Sequence, residues 1–451
     1  FLPLFFIIYY LIPARAKNVV LLAASLFFYA WGEPRWILLL LASILVTWLL
    51  GRAMRPEASA GRRRGLLILG LVFQLGLLVA VKYAGFFFGA FIDLPKLHLP
   101  LGVSFYTFHA ISYLVDVYRQ KTPPQKNLLR LGLYLALFPK LVMGPIVPYH
   151  ELEPALAQRT IDAQDVSDGC YRFTIGLAKK ALLADALAGL VTGIWGDLAS
   201  LTVLSAWLGL IGYALQLYFD FSGYSDMAIG LGRMLGFRFP ENFRYPYLCS
   251  SISDFWRRWH ISLGSWFKEY LYFPLGGSRT GTLRTLRNLL LVWLATGLWH
   301  GASWNYVLWG LYFGVLICLE KLLAPRFRAH PRKGLLAGLY RPVCLLLAVL
   351  GWVLFRAEDL PAAGRYFACL FGGAAGASAQ ARLYLHDFWP VLLLGAVGAT
   401  PLCAKLAGRL GAKLQPGVRA AVQAVLVLAL LACSTVWLLN GSFQSFVYFQ
   451  F

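Results

Sequence analysis

The sequence predicts an all-α polytopic membrane protein, and three observations lead to that prediction. Only 14% of the 451 residues are charged, compared with about 25% in ordinary soluble domains. Hydrophobic residues make up 59% of the chain, and apolar stretches recur from one end to the other. No polar block is large enough to coat a soluble globule. At about 20 residues per spanning helix, we expect roughly ten to twelve transmembrane helices, with further re-entrant and interfacial helices.

This composition excludes a soluble enzyme, a coiled coil and a disordered scaffold. The chain carries 41 Lys and Arg against 20 Asp and Glu, a net charge of +21. In a soluble chain that excess would suggest nucleic acid as a partner. Here the basic residues lie in short loops between apolar stretches, so the positive-inside rule explains them. We therefore expect contact with membrane lipid and no nucleic-acid partner.

The first predicted element is an apolar span over residues 1–12, which lacks the small-residue cleavage site of a signal peptide. Basic residues follow it at 13–17, and a second basic loop lies at 51–64. Both loops are placed in the cytoplasm, which puts the N-terminus outside. The same rule places the basic segments near the C-terminus, such as 405–419, inside, and it places 357–387 and the tail FQSFVYFQF outside.

The middle of the chain does not follow this alternation. Residues 139–200 contain four prolines, an acidic stretch, and then Lys179 and Lys180 within an apolar pattern. A pair of charges in the middle of a span would cost several kcal/mol. We therefore expect residues 165–192 to form an amphipathic helix at the membrane interface.

A second charged segment, 255–277, has Trp256, Trp259 and Trp266 at helical spacing, with Arg257, Arg258, Lys268 and Glu269 between them. Such a helix cannot face lipid. We expect it to be buried inside the protein or to border an aqueous cavity.

Two residue types give no sign of a metal centre. The seven cysteines are isolated, with no C-x-x-C pair, and most lie in apolar segments, so we expect small buried side chains without disulfides. Among the seven histidines, His98, His330 and His386 lie in or near loops. His109 and His150 lie close to apolar segments and are secondary candidates for a functional role.

His260 and His300 are the leading catalytic candidates. His300 ends the apolar helix LVWLATGLWH, and Gly301 is a plausible stop before the next helix opens near Asn305. A helix break inside the membrane allows free carbonyls and a cavity to coexist. A neutral imidazole there is suited to removing a proton from a hydroxyl or thiol. His260, on the charged Trp-rich helix, is placed to hydrogen-bond a carbonyl or to orient the other ring.

Other catalytic arrangements find little support. The chain has no G-x-S-x-G, no phosphate-binding G-x-x-x-x-G-K-[ST], no H-E-x-x-H and no G-x-G-x-x-G opening a βαβ unit. Several acids lie near apolar stretches, and salt bridges or helix caps are the preferred interpretation for Asp116, Asp220, Asp226, Glu241 and Asp254. The spacing of Asp220 and Asp226 does not align them on one helical face.

Five long segments stand out in order along the chain: LPLGVSFYTFHAISYLVDVYR, LVMGPIVPYHEL, LYFDFSGYSDMAIGLGRMLGFRFPENFRYPY, SDFWRRWHISLGSWFKEYLYFPLGGSR and GLWHGASWNYVLWG. Together they resemble the membrane-bound O-acyltransferase (MBOAT) family, in the bacterial branch that modifies alginate or teichoic acid. The resemblance covers nearly the whole chain. It implies one integral membrane domain over 1–451, with an active-site core at about 99–323, and a ring of helices around a central tunnel.

The resemblance also implies an activity. The family's active-site histidine falls on His300, as a general base, and its second position falls on His260. The implied reaction moves an acyl group, preferably acetyl, from a cytoplasmic donor such as acetyl-CoA across a bacterial inner membrane. The group would reach an extracellular polysaccharide such as alginate, with an extracytoplasmic SGNH-type acetyltransferase as partner. No cofactor is expected to be bound permanently.

Three alternatives remain open at this point: D-alanyl transfer from a carrier protein to teichoic acid, a transporter without chemistry, and a structural subunit of an export complex. Candidates for binding an anionic donor or substrate are Arg257, Arg258, Lys268, Trp304 and Asn305. Topology or lipid contact would explain the basic residues equally well.

Overall fold

All regular structure in the described part of the chain is helical. The computed structural model describes residues 1–89, 99–279, 281–329, 335–441 and 446, and within them there is no β-strand. The predicted all-α class is therefore confirmed.

The first helices lie between residues 2 and 195. They are α1 Leu2–Leu11, α2 Lys17–Gly32, α3 Ile37–Ala53, α4 Ala60–Leu78, α5 Ala84–Phe88, α6 Val103–Tyr118, α7 Leu128–Ala136, α8 Phe138–Leu141, α9 Tyr149–Ala157, α10 Ala163–Ala178 and α11 Asp185–Trp195. The helices that follow are α12 Val203–Met234, α13 Ile252–Trp256, α14 Ile261–Phe267, α15 Thr282–His300, α16 Trp304–Ala329, α17 Leu335–Arg356, α18 Leu360–Leu370, α19 Ala379–Gly398, α20 Leu402–Gly411 and α21 Pro416–Asn440. Short π-helical segments join α4 to α5 at Val79–Tyr83 and α10 to α11 at Lys179–Ala184, and a third, Lys268–Tyr272, extends α14.

The number of long spans is smaller than the ten to twelve predicted. Five helical stretches within the described residues are long and apolar enough to cross a membrane: Ala60–Phe88, Val203–Met234, Trp304–Leu323, Leu339–Arg356 and Pro416–Asn440. The pair α19 and α20, which is bent by 67°, makes a sixth when it is counted as one span. This count covers only the long helices and leaves out shorter apolar helices such as α1 and α3, so the total of ten to twelve stays a prediction.

The described residues form two compact units. The first comprises residues 1–170 and 228–240, and the second comprises 171–227 and 241–451. The prediction of a single domain over 1–451, with a core at 99–323, stays a prediction.

In the first unit, α6 is buried along almost its whole length, from Val103 to Val117. Arg159 holds distant parts of this unit together, since its guanidinium donates to the hydroxyl of Tyr9 at 2.9 Å, to Oδ1 of Asn18 at 2.6 Å and to the carbonyl of Leu235 at 2.9 Å. A hydrogen bond to a charged group contributes about 1.5–3 kcal/mol. One half-buried side chain therefore links α1, α2 and the segment after α12.

The core of the second unit is rich in aromatic side chains. Trp256 packs edge-on against Trp293 at 4.7 Å and against Phe313 at 4.8 Å between ring centroids, and Trp352 lies 4.8 Å from Trp259. Such pairs add about 0.5–1.5 kcal/mol beyond the burial of their area. This core surrounds the ends of α13, α15 and α17.

The helix predicted over 165–192 is confirmed as helical. It runs from α10 through the π-helical segment into α11, from Ala163 to Trp195. Lys180 is buried within it, with 5% of its surface exposed. The location of this helix at the membrane interface stays a prediction.

The cysteines are free thiols, and their burial divides them. Four are buried as predicted: Cys249, Cys318, Cys344 and Cys369. The prediction of burial is wrong for Cys170, Cys403 and Cys433, which are exposed. The last two lie on α20 and α21, where nearly every side chain faces outward, so an apolar sequence there does not imply a protein interior.

Candidate active site of the second unit

His300 lies at the end of a tightly packed helix hairpin. It is the last residue of α15, and the extended residue Gly301 ends the helix before α16 begins at Trp304. A Cβ on Gly297 would lie 2.3 Å from the carbonyl oxygen of Tyr306, and one on Gly310 would lie 2.4 Å from that of Trp293. Only glycine allows the two backbones to approach so closely. The predicted end of the helix at His300 is confirmed.

Aromatic rings surround the imidazole of His300. Its ring lies 4.9 Å from Trp299, 4.9 Å from Trp309 and 5.1 Å from Phe355, in each case edge to face. The residue is 6% exposed. Desolvated surroundings of this kind strengthen the interactions of any charge that develops during a reaction.

His260 lies at a break between two helices. The prediction of one continuous helix over 255–277 is wrong, because α13 ends at Trp256 and α14 begins at Ile261. The cause is the backbone of His260, which adopts a left-handed conformation with φ of 45°. For a residue with a Cβ this conformation costs about 1–3 kcal/mol and is concentrated at functional sites. The segment is buried only in part, since Trp259 and Trp266 are buried but Arg257 and Lys268 are exposed.

The segment after Glu241 fixes this break. The side-chain oxygen of Asn242 accepts from the backbone N–H and from the hydroxyl of Ser262, at 3.1 and 2.9 Å, and Nδ1 of His260 lies 3.2 Å from the same oxygen. The backbone carbonyl of Asn242 accepts from the N–H of Ile261 at 3.0 Å. These bonds replace the contacts that a continuous helix would have made.

One indole ring contacts both catalytic candidates. Trp299 lies 6.1 Å from the ring of His260 and 4.9 Å from that of His300. Phe221, in the middle of α12, packs edge-on against His260 at 4.6 Å. The structure therefore brings the two predicted histidines to the same aromatic wall, although they are 40 residues apart in sequence.

Burial controls the protonation of His260. The residue is 2% exposed and lies outside the helices that are long enough to cross a membrane. Burial lowers the pKa of its imidazole to about 3. The ring is therefore neutral throughout the physiological range.

A layer of ion pairs lies between α10, α12 and the segment that carries Asn242. Arg172 donates to Asp226 at 2.6 Å and binds Glu241 through two nitrogens at 3.0 and 2.6 Å. Lys179 also donates to Asp226, at 2.6 Å. The salt bridges predicted for Asp226 and Glu241 are confirmed.

Lys180 forms the most buried part of this layer. Its ammonium lies 2.7 Å from Asp185 and 2.8 Å from Asp220, and all three side chains are less than 10% exposed. The ring of Phe446 lies 4.7 Å from the same nitrogen. The salt bridge predicted for Asp220 is thus confirmed.

Comparison with known proteins indicates the kind of enzyme to which this site belongs. Residues 117–337 match the model of the membrane-bound O-acyltransferase family. The chain is 43% identical over 385 residues to the "Probable alginate O-acetylase AlgI" of Pseudomonas aeruginosa, covering 82% of this chain and 73% of that protein. This chain belongs to the membrane-bound O-acyltransferase family. It is therefore an acyltransferase and a multi-pass membrane protein.

Other relatives differ in the polymer that their names give. The chain is 36% identical over 404 residues to the "Peptidoglycan O-acetyltransferase" of Helicobacter pylori, covering 80% of this chain and 76% of that protein. It is 29% identical over 249 residues to the "Teichoic acid D-alanyltransferase" of Bacillus subtilis, covering 50% of this chain and 62% of that protein.

Not all predicted binding residues of this O-acyltransferase face solvent. Arg257 is well exposed, with 72% of its side chain accessible, and Trp304 and Lys268 are also exposed. Nε of Arg258 lies 3.1 Å from Asp254, which confirms the salt bridge predicted for that acid. Asn305 is buried, and its amide donates to the carbonyl of Ala357 at 2.6 Å. This bond joins α16 to the end of α17, so the amide nitrogen is directed toward the protein and not toward an acyl donor.

The secondary candidates of the O-acyltransferase belong to the first unit. His109 is fully buried in α6, with its ring 5.4 Å from Tyr134. Nδ1 of His150 lies 2.8 Å from Asp116, which confirms an ion-pairing role for that acid when the imidazole is protonated. His386 is exposed beside Asp387, whereas His98 and His330 lie outside the described residues.

An open apolar cavity of about 840 Å³ also lies in the first unit. Aromatic and aliphatic side chains of α1 and α2, such as Phe5, Phe28 and Trp31, form most of its lining. It therefore lacks the imidazoles that acyl transfer by this family would use. In the part of the chain that the structure describes, no group of three or more His, Cys, Asp or Glu residues is arranged to hold a metal ion.

Sequence reasoning missed three components of the site: Phe221, Asn242 and Trp299. Asn242 lies in the segment FPENFRYPY and Trp299 directly precedes His300, so both were inside the segments that resemble the family. An uncharged amide between the charged residues Glu241 and Arg244 was the available signal for Asn242. Its distance of 18 residues from His260 concealed the contact.

Proposed function

We propose that this chain moves an acetyl group from a cytoplasmic donor to the outer side of a bacterial inner membrane, for O-acetylation of an extracellular polysaccharide such as alginate. The observation that carries the proposal is the pair of buried imidazoles, His260 and His300, on one aromatic wall. The names of the relatives at 43% and 36% identity, which give alginate and peptidoglycan as the polymers, support O-acetyl transfer.

In the proposed reaction, His300 is the general base. It removes the proton from the acceptor hydroxyl as the oxygen attacks the acyl carbonyl carbon. The bond between that carbon and the sulfur of the donor then breaks, and the proton passes from the imidazolium to the departing thiolate. General-base catalysis of this kind contributes about 10² to 10⁴ in rate.

Acetyl-CoA is the proposed donor and acts as a substrate, not as a resident cofactor. The exposed cations Arg257 and Lys268 would attract its phosphates by long-range electrostatics. An extracytoplasmic SGNH-type acetyltransferase is the proposed partner that passes the acetyl group to the polymer.

The proposal is tested in a strain that lacks the native gene. Expression of the wild-type chain is expected to restore ester-linked acetate on the polymer, and His300→Ala is expected to abolish it. His386→Ala, which removes an exposed histidine, is the matched control and should restore wild-type levels. Full acetylation with His300→Ala, at equal protein levels, would refute the role of His300 as base.

D-alanyl transfer to teichoic acid is the second candidate, because two relatives with that name match about half of the chain. It requires a carrier protein as donor. Purified protein that releases CoA from acetyl-CoA, and does not accept D-alanine from a loaded carrier, would decide for acetyl transfer. A transporter without chemistry is not supported, since the chain belongs to a family of acyltransferases.

A further inference from the structure

The side-chain oxygen of Asn242 is a shared hydrogen-bond acceptor. Three groups surround it: the backbone N–H of Ser262 at 3.1 Å, the hydroxyl of Ser262 at 2.9 Å and Nδ1 of His260 at 3.2 Å. A backbone N–H can only donate. The atom of the Asn242 amide that faces it must therefore be the oxygen, which fixes the orientation of the amide.

This orientation determines the tautomer of His260. Because Oδ1 of Asn242 is an acceptor, Nδ1 of the imidazole must carry the proton to make a hydrogen bond. A neutral imidazole has only one N–H, so Nε2 carries a lone pair. Nε2 is buried, and no protein group among the described residues forms a hydrogen bond with it.

Asn242 is itself held firmly in place. Its neighbour Glu241 binds two nitrogens of Arg172, and two residues later the N–H of Arg244 donates to the carbonyl of Arg258 at 2.9 Å. Bidentate contacts between arginine and carboxylate add geometric specificity to their energy. These bonds hold the backbone on both sides of Asn242, and its amide cannot turn away from His260 without losing the two hydrogen bonds from Ser262.

We propose that Asn242 is a positioning residue that holds His260 in the Nδ1–H tautomer, so that Nε2 accepts a hydrogen bond from an N–H or O–H group of the substrate. This inference rests on the proposed acyl transfer and deepens it. This substrate group is not the acceptor hydroxyl whose proton His300 removes. Because Nε2 presents a lone pair, it cannot donate a hydrogen bond to a carbonyl oxygen. In this proposal His260 therefore orients the substrate, in place of the hydrogen bond to a carbonyl that the sequence suggested.

The tautomer is measured directly, without reference to activity. Full-length protein is labelled with ¹⁵N-histidine, reconstituted in lipid nanodiscs and studied by nuclear magnetic resonance, with His260→Asn used to assign the signals. The expected result is a protonated Nδ1 and an unprotonated Nε2 in the wild type. In Asn242→Ala the preference is expected to be lost. A protonated Nε2 in the wild type would overturn the proposal.

Asn242→Asp tests the consequence for catalysis. The carboxylate keeps an acceptor for Ser262 but raises the pKa of His260, and below that pKa Nε2 is protonated and cannot accept. Transfer of labelled acetyl from acetyl-CoA by the variant should therefore fall as the pH is lowered and recover as it is raised, and the fall should begin at a higher pH than in the wild type. Ser262→Ala, which leaves Asn242 unchanged, should keep the shape of the wild-type profile.

The possible outcomes separate the two proposals. A wild-type chain that does not consume acetyl-CoA refutes the proposed donor, whereas the resonance experiment still decides the tautomer. An Asn242→Asp variant whose profile matches the wild type, while its His260 is shown to be protonated, refutes the role of Nε2 as an acceptor.

Discussion

Two parts of the second unit bury polar side chains in opposite ways. In the layer around Lys180, each buried cation lies within 2.8 Å of a carboxylate. Around His260 and His300, the buried polar groups are imidazoles set among aromatic rings. Burial of a charge is tolerated when it is paired, and burial of an imidazole is tolerated when it is neutral.

The ion-pair layer supports the structure, whereas the aromatic wall holds the residues proposed to take part in the reaction. The ion-pair layer satisfies its own charges and fixes the segment that carries Glu241 and Asn242. The aromatic wall leaves Nε2 of His260 without a protein hydrogen bond among the described residues, and this atom is the proposed acceptor for a substrate group. Substitutions in the layer should therefore change stability first, and substitutions at the wall should change activity first.

The largest expected effect is on activity, at His300. His300→Ala should reduce acetyl transfer by about 10² to 10⁴ fold, because the general base is lost. Its melting temperature should change far less than its activity. Activity is measured as labelled acetyl released from acetyl-CoA by purified protein. If the loss of activity were matched by an equal loss of folded protein, the aromatic wall would not differ from the ion-pair layer in its effect on stability.

The next effect is on stability, at Lys180. Lys180→Met removes the cation from Asp185 and Asp220 and leaves both carboxylates buried without it. Breaking a buried pair in this way costs about 3–5 kcal/mol. Thermal unfolding in detergent should show a large decrease. Lys268→Met, at an exposed position, is the matched control and should stay within about 0.5 kcal/mol of the wild type.

An intermediate effect is expected at the helix hairpin. The Cβ in Gly297→Ala would lie 2.3 Å from the carbonyl oxygen of Tyr306, so α15 and α16 must separate. Overpacking of this kind typically costs about 1–3 kcal/mol, and His300 should be displaced, which lowers activity as well. Gly364→Ala, where a Cβ meets no atom within 4 Å, should be neutral or slightly stabilising. Equal results for both variants would contradict the close approach.

The smallest effect is expected at the exposed cations. Arg257→Gln should raise the KM for acetyl-CoA by about 1.4- to 5-fold, in line with about 0.2–1 kcal/mol for an exposed ion pair. The difference from the wild type should shrink at high salt, because exposed charges are screened. A difference that does not depend on salt would argue against attraction of the donor by this residue.

How far the sequence predicts these regions depends on how local the deciding contact is. The end of α15 at His300 was predicted because a glycine follows an apolar helix directly. The break at His260 was not predicted, because no glycine or proline marks it. The contact that stabilises the break comes from Asn242, 18 residues earlier. Acids near apolar stretches were correctly interpreted as ion pairs. Their partners, such as Lys180 for Asp220, depend on helix packing and could not be identified from spacing.

The close contact between α15 and α16 also has a consequence for motion. Where Gly297 and Gly310 meet backbone atoms of the opposite helix, there are no side-chain rotamers that can rearrange to let one helix slide. His300 thus lies at the end of a rigid hairpin formed by α15 and α16. A change in its distance from α16 would require the two helices to separate. We therefore expect a substrate that needs more room to displace side chains, such as Phe221 on α12 or Phe355 on α17, and not the backbone of the hairpin.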